Sequence, residues 1–211
     1  TRFSHSCGFD GYPAMRSALV PDVAQWQRQR YQEAARENIS PDDDVASLMD
    51  KFLARSMEAS TQAFQTLDQS AVESAVTAIM NADKVVLLGN GGSVYLAAST
   101  ALKLMKLGVN AMSYLDVNGM QAAALLLTPN DVALSISHSG TTRETLESTE
   151  LAVGTGCTTI GCTSHPRSPL AKMVDVSLIY GFVQKESEIG LARVIQSLVL
   201  EMLATTISLR L

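Results

Sequence analysis

The spacing of apolar residues changes near residue 84, and the change divides the predicted elements into two sets. Before this point, apolar positions recur every three or four residues, which predicts helices. After it, short apolar runs alternate with longer amphipathic stretches. We therefore predict a helical first part, followed by alternating strands and helices.

The helical part begins with a predicted helix over Thr1–Cys7 that ends at Gly8, and Pro13 and Pro21 each open a further helix. A long helix follows the segment 40–44, with Ser40 as its N-cap. Its apolar positions share one face, which we expect to pack on the α/β body or on a partner chain. They are Val45, Leu48, Met49, Phe52, Leu53, Met57, Phe64 and Leu67. Ser70 and Glu73 have capping-box spacing and predict another helix up to Asp83.

Five apolar runs after Lys84 predict strands, near 84–88, 110–114, 132–137, 158–162 and 176–180. Helices fit between them, with Gly108 and Gly156 at helix ends and a last helix from about Ser187 to Leu209. Strands that are buried on both faces and separated by helices indicate a parallel sheet with right-handed crossovers. The predicted fold class is α/β, a three-layer α/β/α doubly wound five-stranded parallel sheet with a helical N-terminal extension.

Composition and charge narrow the class of protein. The chain has 211 residues and a net charge of -5, with a local balance of +2 over residues 1–31 and therefore -7 over the rest. This asymmetry permits a nucleic-acid contact near the N-terminus but does not require one. There is no apolar run of about 18 residues and no signal-peptide pattern, so we expect a cytoplasmic protein without a membrane contact. Three cysteines without zinc spacing are expected to be reduced, and no metal or cofactor is predicted.

Two small-residue loops carry the candidate chemistry, and each lies between a predicted strand and a predicted helix. The first is Gly89-Asn90-Gly91-Gly92-Ser93, and the second is Ser137-His138-Ser139-Gly140-Thr141-Thr142. Glycine lets the backbone approach a ligand, the hydroxyl groups donate hydrogen bonds, and a helix N-terminus favours negative charge. The pair therefore predicts an oxyanion site, with a phosphorylated small molecule as its ligand.

Two other interpretations stay open at this point. Gly89-x-Gly91 also begins a dinucleotide fingerprint, with Asp116 as a possible ribose ligand, but Val94 stands at the third glycine position. The second loop alone is also typical of a Ser/Thr-rich turn that only caps the following helix.

The segment from Val85 to Tyr180 resembles the sugar isomerase (SIS) domain, whose loops have the forms G-x-G-x-S and S-x-S-G-x-T. The stretch that contains Thr163, Ser164, Ser168 and Asp175 is similar to the part that leads into the domain's last strand. The resemblance implies that a phosphosugar's phosphate is held by Ser93, Ser137, Ser139 and Thr142, close to Asn90, Gly91 and His138. His138 stands where some members have glutamine. Glu186 or Glu188 is implied as a contact to the sugar hydroxyls, with an exposed helix-start carboxylate as the alternative.

The N-terminal run Arg2-Phe3 to Gly11-Tyr12 resembles the end of the helix-turn-helix domain in RpiR-type transcriptional regulators. We therefore expect this chain to be a piece of a longer protein, with Arg2 and His5 as DNA-contacting residues. The alternative for this segment is a packed helix remnant with Phe3, Phe9 and Tyr12 as its core. The resemblance implies three parts: 1–36, a helix-turn-helix remnant with following helices; 37–44, a linker; and 45–211, a SIS phosphosugar-binding domain.

The predicted function is a phosphosugar-sensing, non-enzymatic transcriptional regulator. A sugar phosphate effector controls binding of the full-length protein to operator DNA, and the protein is a homodimer or homotetramer. The alternative is an aldose–ketose phosphosugar isomerase, in which a carboxylate such as Glu188 is the base. A third possibility is a catalytically idle sugar-phosphate module that only mediates association.

Overall fold

The computed structural model describes residues 2–36, 39–181 and 190–211. The chain divides into two compact units, Thr1–Glu58 and Ala59–Leu211. The helices that begin in the first unit are α1 (Arg2–Ser6), α2 (Gly11–Arg36) and α3 (Val45–Thr66), and α3 continues into the second unit.

Two predictions for the first unit are wrong in detail. The two helices predicted from Pro13 and Pro21 are one helix, α2, with Pro21 inside it. A proline removes one backbone donor, and here the residues on both sides keep the backbone helical. The N-cap of α3 is Asp44 and not Ser40, since Asp44 Oδ1 accepts from the backbone N–H of Ser47 at 2.8 Å. Ser40 instead donates its N–H to the Asp43 carboxylate.

Most apolar positions of α3 are exposed among the described residues. Val45 and Met49 expose 73% and 67% of their surface, and Phe52, Met57 and Phe64 are also exposed. The buried residues of the helix are smaller or basic, and they are Lys51, Ala54, Arg55, Ala59 and Ala63. Leu67, directly after the helix, packs on the apolar core of the second unit, and what covers the exposed positions of this face stays a prediction.

The second unit begins with the end of α3 and with α4 (Gln69–Asn81). The predicted capping box at Ser70 is wrong, because Asp68 is the N-cap and accepts from the backbone N–H groups of Ser70 and Ala71. The carboxylate of Asp68 comes first in the chain and already holds both amides. Glu73 instead forms an ion pair with Arg210, near the C-terminal end of the second unit's sequence.

A five-stranded parallel sheet follows, as predicted, with the strand order β2-β1-β3-β4-β5. The strands are β1 (Val85–Leu88), β2 (Ala111–Ser113), β3 (Val132–Ile136), β4 (Thr158–Thr163) and β5 (Val176–Ile179). The helices after α4 are α5 (Ser93–Lys106), α6 (Val117–Leu125), α7 (Arg143–Gly154), α8 (Pro169–Met173) and α9 (Leu191–Ser208). Residue 187, the predicted start of the last helix, lies outside the described residues.

The sheet separates two apolar clusters, which confirms the three-layer prediction. Val85 and Leu87 point to the cluster that contains residues of α4, α5 and α9, whereas Val86 and Leu88 point to the one that contains residues of α6 and α7. Alternate side chains of one strand thus enter opposite faces, and both faces are covered. Helix α9 is long and apolar enough to cross a membrane, but it contributes Ile195, Val199 and Leu203 to the first cluster, as a core helix does.

The strand order places a topological switch point between β1 and β3. The chain leaves β1 toward β2 on one side, and β3 starts the half of the sheet that extends to β5. In doubly wound sheets, ligands bind at such a point, outside the carboxyl ends of the strands. Both small-residue loops leave the sheet here, because one follows β1 and the other follows β3.

Candidate functional site

A cavity of about 530 Å³ lies at the switch point, and both loops line it. Its lining residues are Asn90, Gly91, Gly92, Ser93, His138, Ser139, Thr142, Gly190, Ala192 and Arg193. No aspartate or glutamate is among these residues within the described part of the chain. The two loops therefore surround one space, and none of these side chains carries negative charge.

The first loop presents backbone N–H groups to this cavity. Gly91 has a φ of +58°, in the left-handed region that favours glycine, and Gly92 returns to right-handed values at the start of α5. Such a pair of residues turns successive amides toward one side and forms a concave anion site. Within the described chain, the N–H groups of Gly91 and Gly92 donate to no acceptor. Ser93 adds a hydroxyl at the first position of α5.

The second loop presents Ser139 and Thr142, while Ser137 lies behind them. Ser137 is 1% exposed and does not line the cavity. Its hydroxyl lies 3.0 Å from Thr142 Oγ1 and accepts from the Gly140 N–H at 3.1 Å. Ser137 thus holds the loop in shape, and its predicted phosphate contact stays a prediction. Thr142 is the N-cap of α7, but its side chain makes no capping hydrogen bond in that helix.

The segment after β4 supports the second loop from behind. The His138 carbonyl oxygen accepts from Thr163 Oγ1 at 3.0 Å and from Ser164 Oγ at 2.9 Å. Gly140 has a φ of +65° and lies so close to Ser168 and Thr163 that a Cβ atom there would overlap both side chains. Thr163, Ser164 and Ser168, which belong to the stretch similar to the SIS domain, therefore hold the second loop in place.

A carboxylate that follows the second loop interacts with the first loop. Glu144, in the first turn of α7, has its pKa lowered by its own backbone N–H and then by the Asn90 side chain. Asn90 belongs to the first loop, and Glu144 follows the second. The interaction therefore joins the two loops while Asn90 lines the cavity.

His138 is held by a fully buried tyrosine. Its Nδ1 lies 2.9 Å from the hydroxyl oxygen of Tyr180, and burial raises the pKa of Tyr180, so the phenol is neutral. Among the described residues, the phenol proton has no other acceptor, and a buried donor without an acceptor is costly. Tyr180 therefore donates to Nδ1, which assigns the ring proton of His138 to Nε2.

The ring of His138 is also uncharged at neutral pH. Burial lowers its pKa to about 4, and His165 and Arg193 contribute to the same shift through their charge. His138 lines the cavity as a neutral group, so it does not supply positive charge for an anion there.

Arg193 is the site residue that sequence reasoning missed. It lies in the first turn of α9 and lines the cavity, beside Gly92 of the first loop. The one signal in the sequence was a single arginine within the apolar run 191–195. That signal does not show which loop the arginine meets, because the meeting depends on how α9 packs on the sheet.

The remaining predicted residues are not among those that line the cavity, or they lie outside the described chain. Glu186 and Glu188 belong to the segment 182–189, which is not described. Arg2 and His5 are both exposed on the short helix α1. Asp116, the alternative ribose ligand, is the N-cap of α6 and accepts from the Gly119 N–H at 2.8 Å.

Fold and site together define a doubly wound α/β domain with a small-ligand cavity at its switch point. The model of the SIS domain matches residues 78–209, so the chain belongs to the SIS domain family. This confirms the resemblance that the two loops carried.

Relatives and a solved structure agree with this assignment. An uncharacterized HTH-type transcriptional regulator of Caldanaerobacter subterraneus is 29% identical over 88% of this chain and 63% of its own length. The HTH-type transcriptional regulator RpiR of Escherichia coli is 31% identical over 82% of this chain and 57% of its own length. The chain thus spans about six tenths of these relatives. The Vibrio vulnificus NanR protein, solved with ManNAc-6P, has a TM-score of 0.71 and 19% identity over 98% of this chain and 72% of its own, which shows a shared fold.

Proposed function

We propose that this chain is the effector-binding part of a phosphosugar-sensing transcriptional regulator. The main support is that both loops line one cavity at the switch point with hydroxyl and N–H donors. Its volume of about 530 Å³ is in the range typical of small-ligand sites. The names of the relatives support a regulator, and the sugar phosphate bound to the NanR protein supports the ligand class.

The phosphate lies between the two loops in this proposal. The N–H of Gly91 and the hydroxyls of Ser93, Ser139 and Thr142 donate to its oxygens. Asn90 and His138 lie beside the phosphate and contact the sugar. Ser137 and Glu188 complete the predicted set, Ser137 from behind the loop and Glu188 from the segment before α9.

The DNA-binding function belongs to a helix-turn-helix domain of the longer protein. Residues 1–36 are the end of that domain with its following helices, 37–44 are the linker, and 45–211 are the SIS domain. Arg2 and His5, which are exposed, contact DNA phosphates. Effector binding changes the arrangement of two such domains, with a coupling of about 1–3 kcal/mol between ligand and DNA.

The regulator is a cytoplasmic homodimer or homotetramer in this proposal. The exposed apolar face of α3, with Val45, Met49, Phe52, Met57 and Phe64, supports pairing with a second copy. Size-exclusion chromatography with light scattering tests this oligomeric state. The wild type should have two or four times the mass of the chain, and Phe52→Glu should shift the mass toward that of the monomer. A monomeric wild-type protein would contradict it.

A thermal-shift screen tests ligand binding directly. Sugar phosphates, including ManNAc-6P, are compared with the corresponding neutral sugars. A ligand at about 100 times its Kd stabilises the folded state by about 2.7 kcal/mol, which raises the Tm of a domain this size by about 5–10 °C. Thr142→Val removes a lining hydroxyl and should reduce this shift. Thr155→Val, at the other end of the same helix, should leave it unchanged. No shift with any sugar phosphate would contradict the proposal.

Turnover of the sugar phosphate distinguishes the isomerase alternative from a regulator. The full-length regulator is expected to release or bind an operator probe on addition of the sugar phosphate, while NMR shows the sugar phosphate unchanged over hours. Steady formation of the ketose or aldose isomer would instead establish an enzyme.

A further inference from the structure

The cavity has one positively charged side chain among its described lining residues, and that residue is Arg193. The other polar groups that line the cavity are uncharged, namely serine and threonine hydroxyls, backbone N–H groups, Asn90 and the neutral His138. Among the described residues, an anion at this site therefore meets dipoles from two loops and one full charge from α9. The chain after residue 31 has a net charge of -7, so an anionic ligand gains no attraction from the rest of the domain.

The position of Arg193 is unfavourable for stability, which argues for a role in binding. It lies in the first turn of α9, where the helix dipole disfavours a positive charge. It forms no ion pair with any carboxylate of the described chain. Arg143 and Arg210, by contrast, are paired with Glu147 and Glu73.

Gly92 gives the second, independent observation. Its φ of -71° and ψ of -16° are values that any residue adopts, so its backbone does not require glycine. A Cβ atom at Gly92 would, however, overlap the guanidinium of Arg193. The guanidinium of Arg193 thus occupies the space that a side chain at position 92 would fill.

We propose that Arg193 is the charge-selecting residue of this site, and that Gly92 makes room for its guanidinium beside the phosphate. The inference rests on the proposed phosphosugar site and extends it to a specificity-determining residue on α9. Charge-assisted hydrogen bonds from arginine to phosphate are stronger than those from neutral donors and are geometrically specific. The site then prefers phosphorylated ligands over neutral sugars through Arg193, while the two loops position the phosphate.

Titration of the whole chain with inorganic phosphate, followed through the backbone amide NMR signals of Gly91 and Ser139, tests the proposal. Wild type is expected to show shifts in both loops. Arg193→Gln should raise the Kd for phosphate roughly tenfold or more, since a hydrogen bond to a charged group is lost. Arg193→Lys should restore part of the affinity, because it keeps the charge and loses the planar fork.

Arg143→Gln is the matched control, because it removes the same charge beside the second loop from a residue that does not line the cavity. Its Kd should stay within about twofold of wild type. An equal loss in both variants would show a general charge effect and overturn the role of Arg193. Wild-type Kd in Arg193→Gln would overturn it too, with the loop site itself still standing. No shifts in wild type would overturn both this inference and the proposed function.

A double-mutant cycle tests the coupling to Gly92. Gly92→Ala alone should weaken phosphate binding about as much as Arg193→Gln, because the new methyl group displaces the guanidinium. In the Arg193→Gln background it should add less than about twofold, since contacting residues are not additive. A full additional loss would show that Gly92 serves the ligand directly and would overturn the proposed pairing. The amide spectrum of each variant reports whether it is folded.

Discussion

Gly140 packs closely in the second loop, and its replacement by alanine has a calculable cost. Its φ is +65°, and a left-handed conformation costs a residue with a Cβ about 1–2 kcal/mol. The new Cβ would also lie 2.5 Å from Ser168 Cβ and 2.8 Å from Thr163 Oγ1. Overpacking of this kind costs about 1–3 kcal/mol. Together, Gly140→Ala should lower the free energy of unfolding by about 2–5 kcal/mol.

Gly91→Ala separates the two contributions. Gly91 also has a positive φ, of +58°, but a Cβ there would meet nothing within 4 Å. This variant should therefore carry only the conformational cost of about 1–2 kcal/mol. The two substitutions are chemically identical, so the difference between them measures the contact of Gly140 with Ser168 and Thr163.

Urea denaturation followed by far-UV circular dichroism gives both values. Gly140→Ala should lose at least about 1 kcal/mol more than Gly91→Ala, with a Tm about 2–4 °C lower for each kcal/mol. Equal losses in the two variants would refute the close packing of the second loop on the segment after β4. The sugar phosphate should still stabilise Gly91→Ala, although with reduced affinity.

Two further predictions concern pH and helix capping. The pKa of His138 is about 4 in the folded chain, below its ordinary value near 6.5, so the unfolded state binds more protons between these values and stability falls as pH drops from about 6.5 to 4. Urea midpoints at pH 7 and pH 5 should therefore differ more in wild type than in His138→Gln; the same difference in both would contradict this. Asp68→Ala should lower the free energy of unfolding by about 1 kcal/mol, because it removes the N-cap of α4, and Ser70→Ala should cost clearly less. A larger loss for Ser70→Ala in the same urea measurement would restore Ser70 as the cap.

Much of the sheet followed from local signals in the sequence. Each strand is a short apolar run, and the two loops stand out because glycine and hydroxyl residues interrupt such runs at the strand ends. The adjacency of the loops did not follow from either loop alone, since it depends on β1 pairing with β3.

The features that the sequence did not predict depend on competition between neighbouring cap residues or on how the helices pack. Asp68 and Ser70 are both good caps, and the first of them in the chain holds the amides. The apolar spacing of α3 showed one face correctly but not what covers it. Arg193 has no local motif at all, because its place beside Gly92 arises only when α9 packs on the sheet.

A crystal structure of the chain with the sugar phosphate that raises its Tm most would test the central claim most directly. We expect the phosphate oxygens to lie about 2.7–3.2 Å from donors of both loops. These are Gly91 or Ser93 on one side and Ser139 or Thr142 on the other. A phosphate held by one loop alone, or bound away from the carboxyl ends of β1 and β3, would contradict the account.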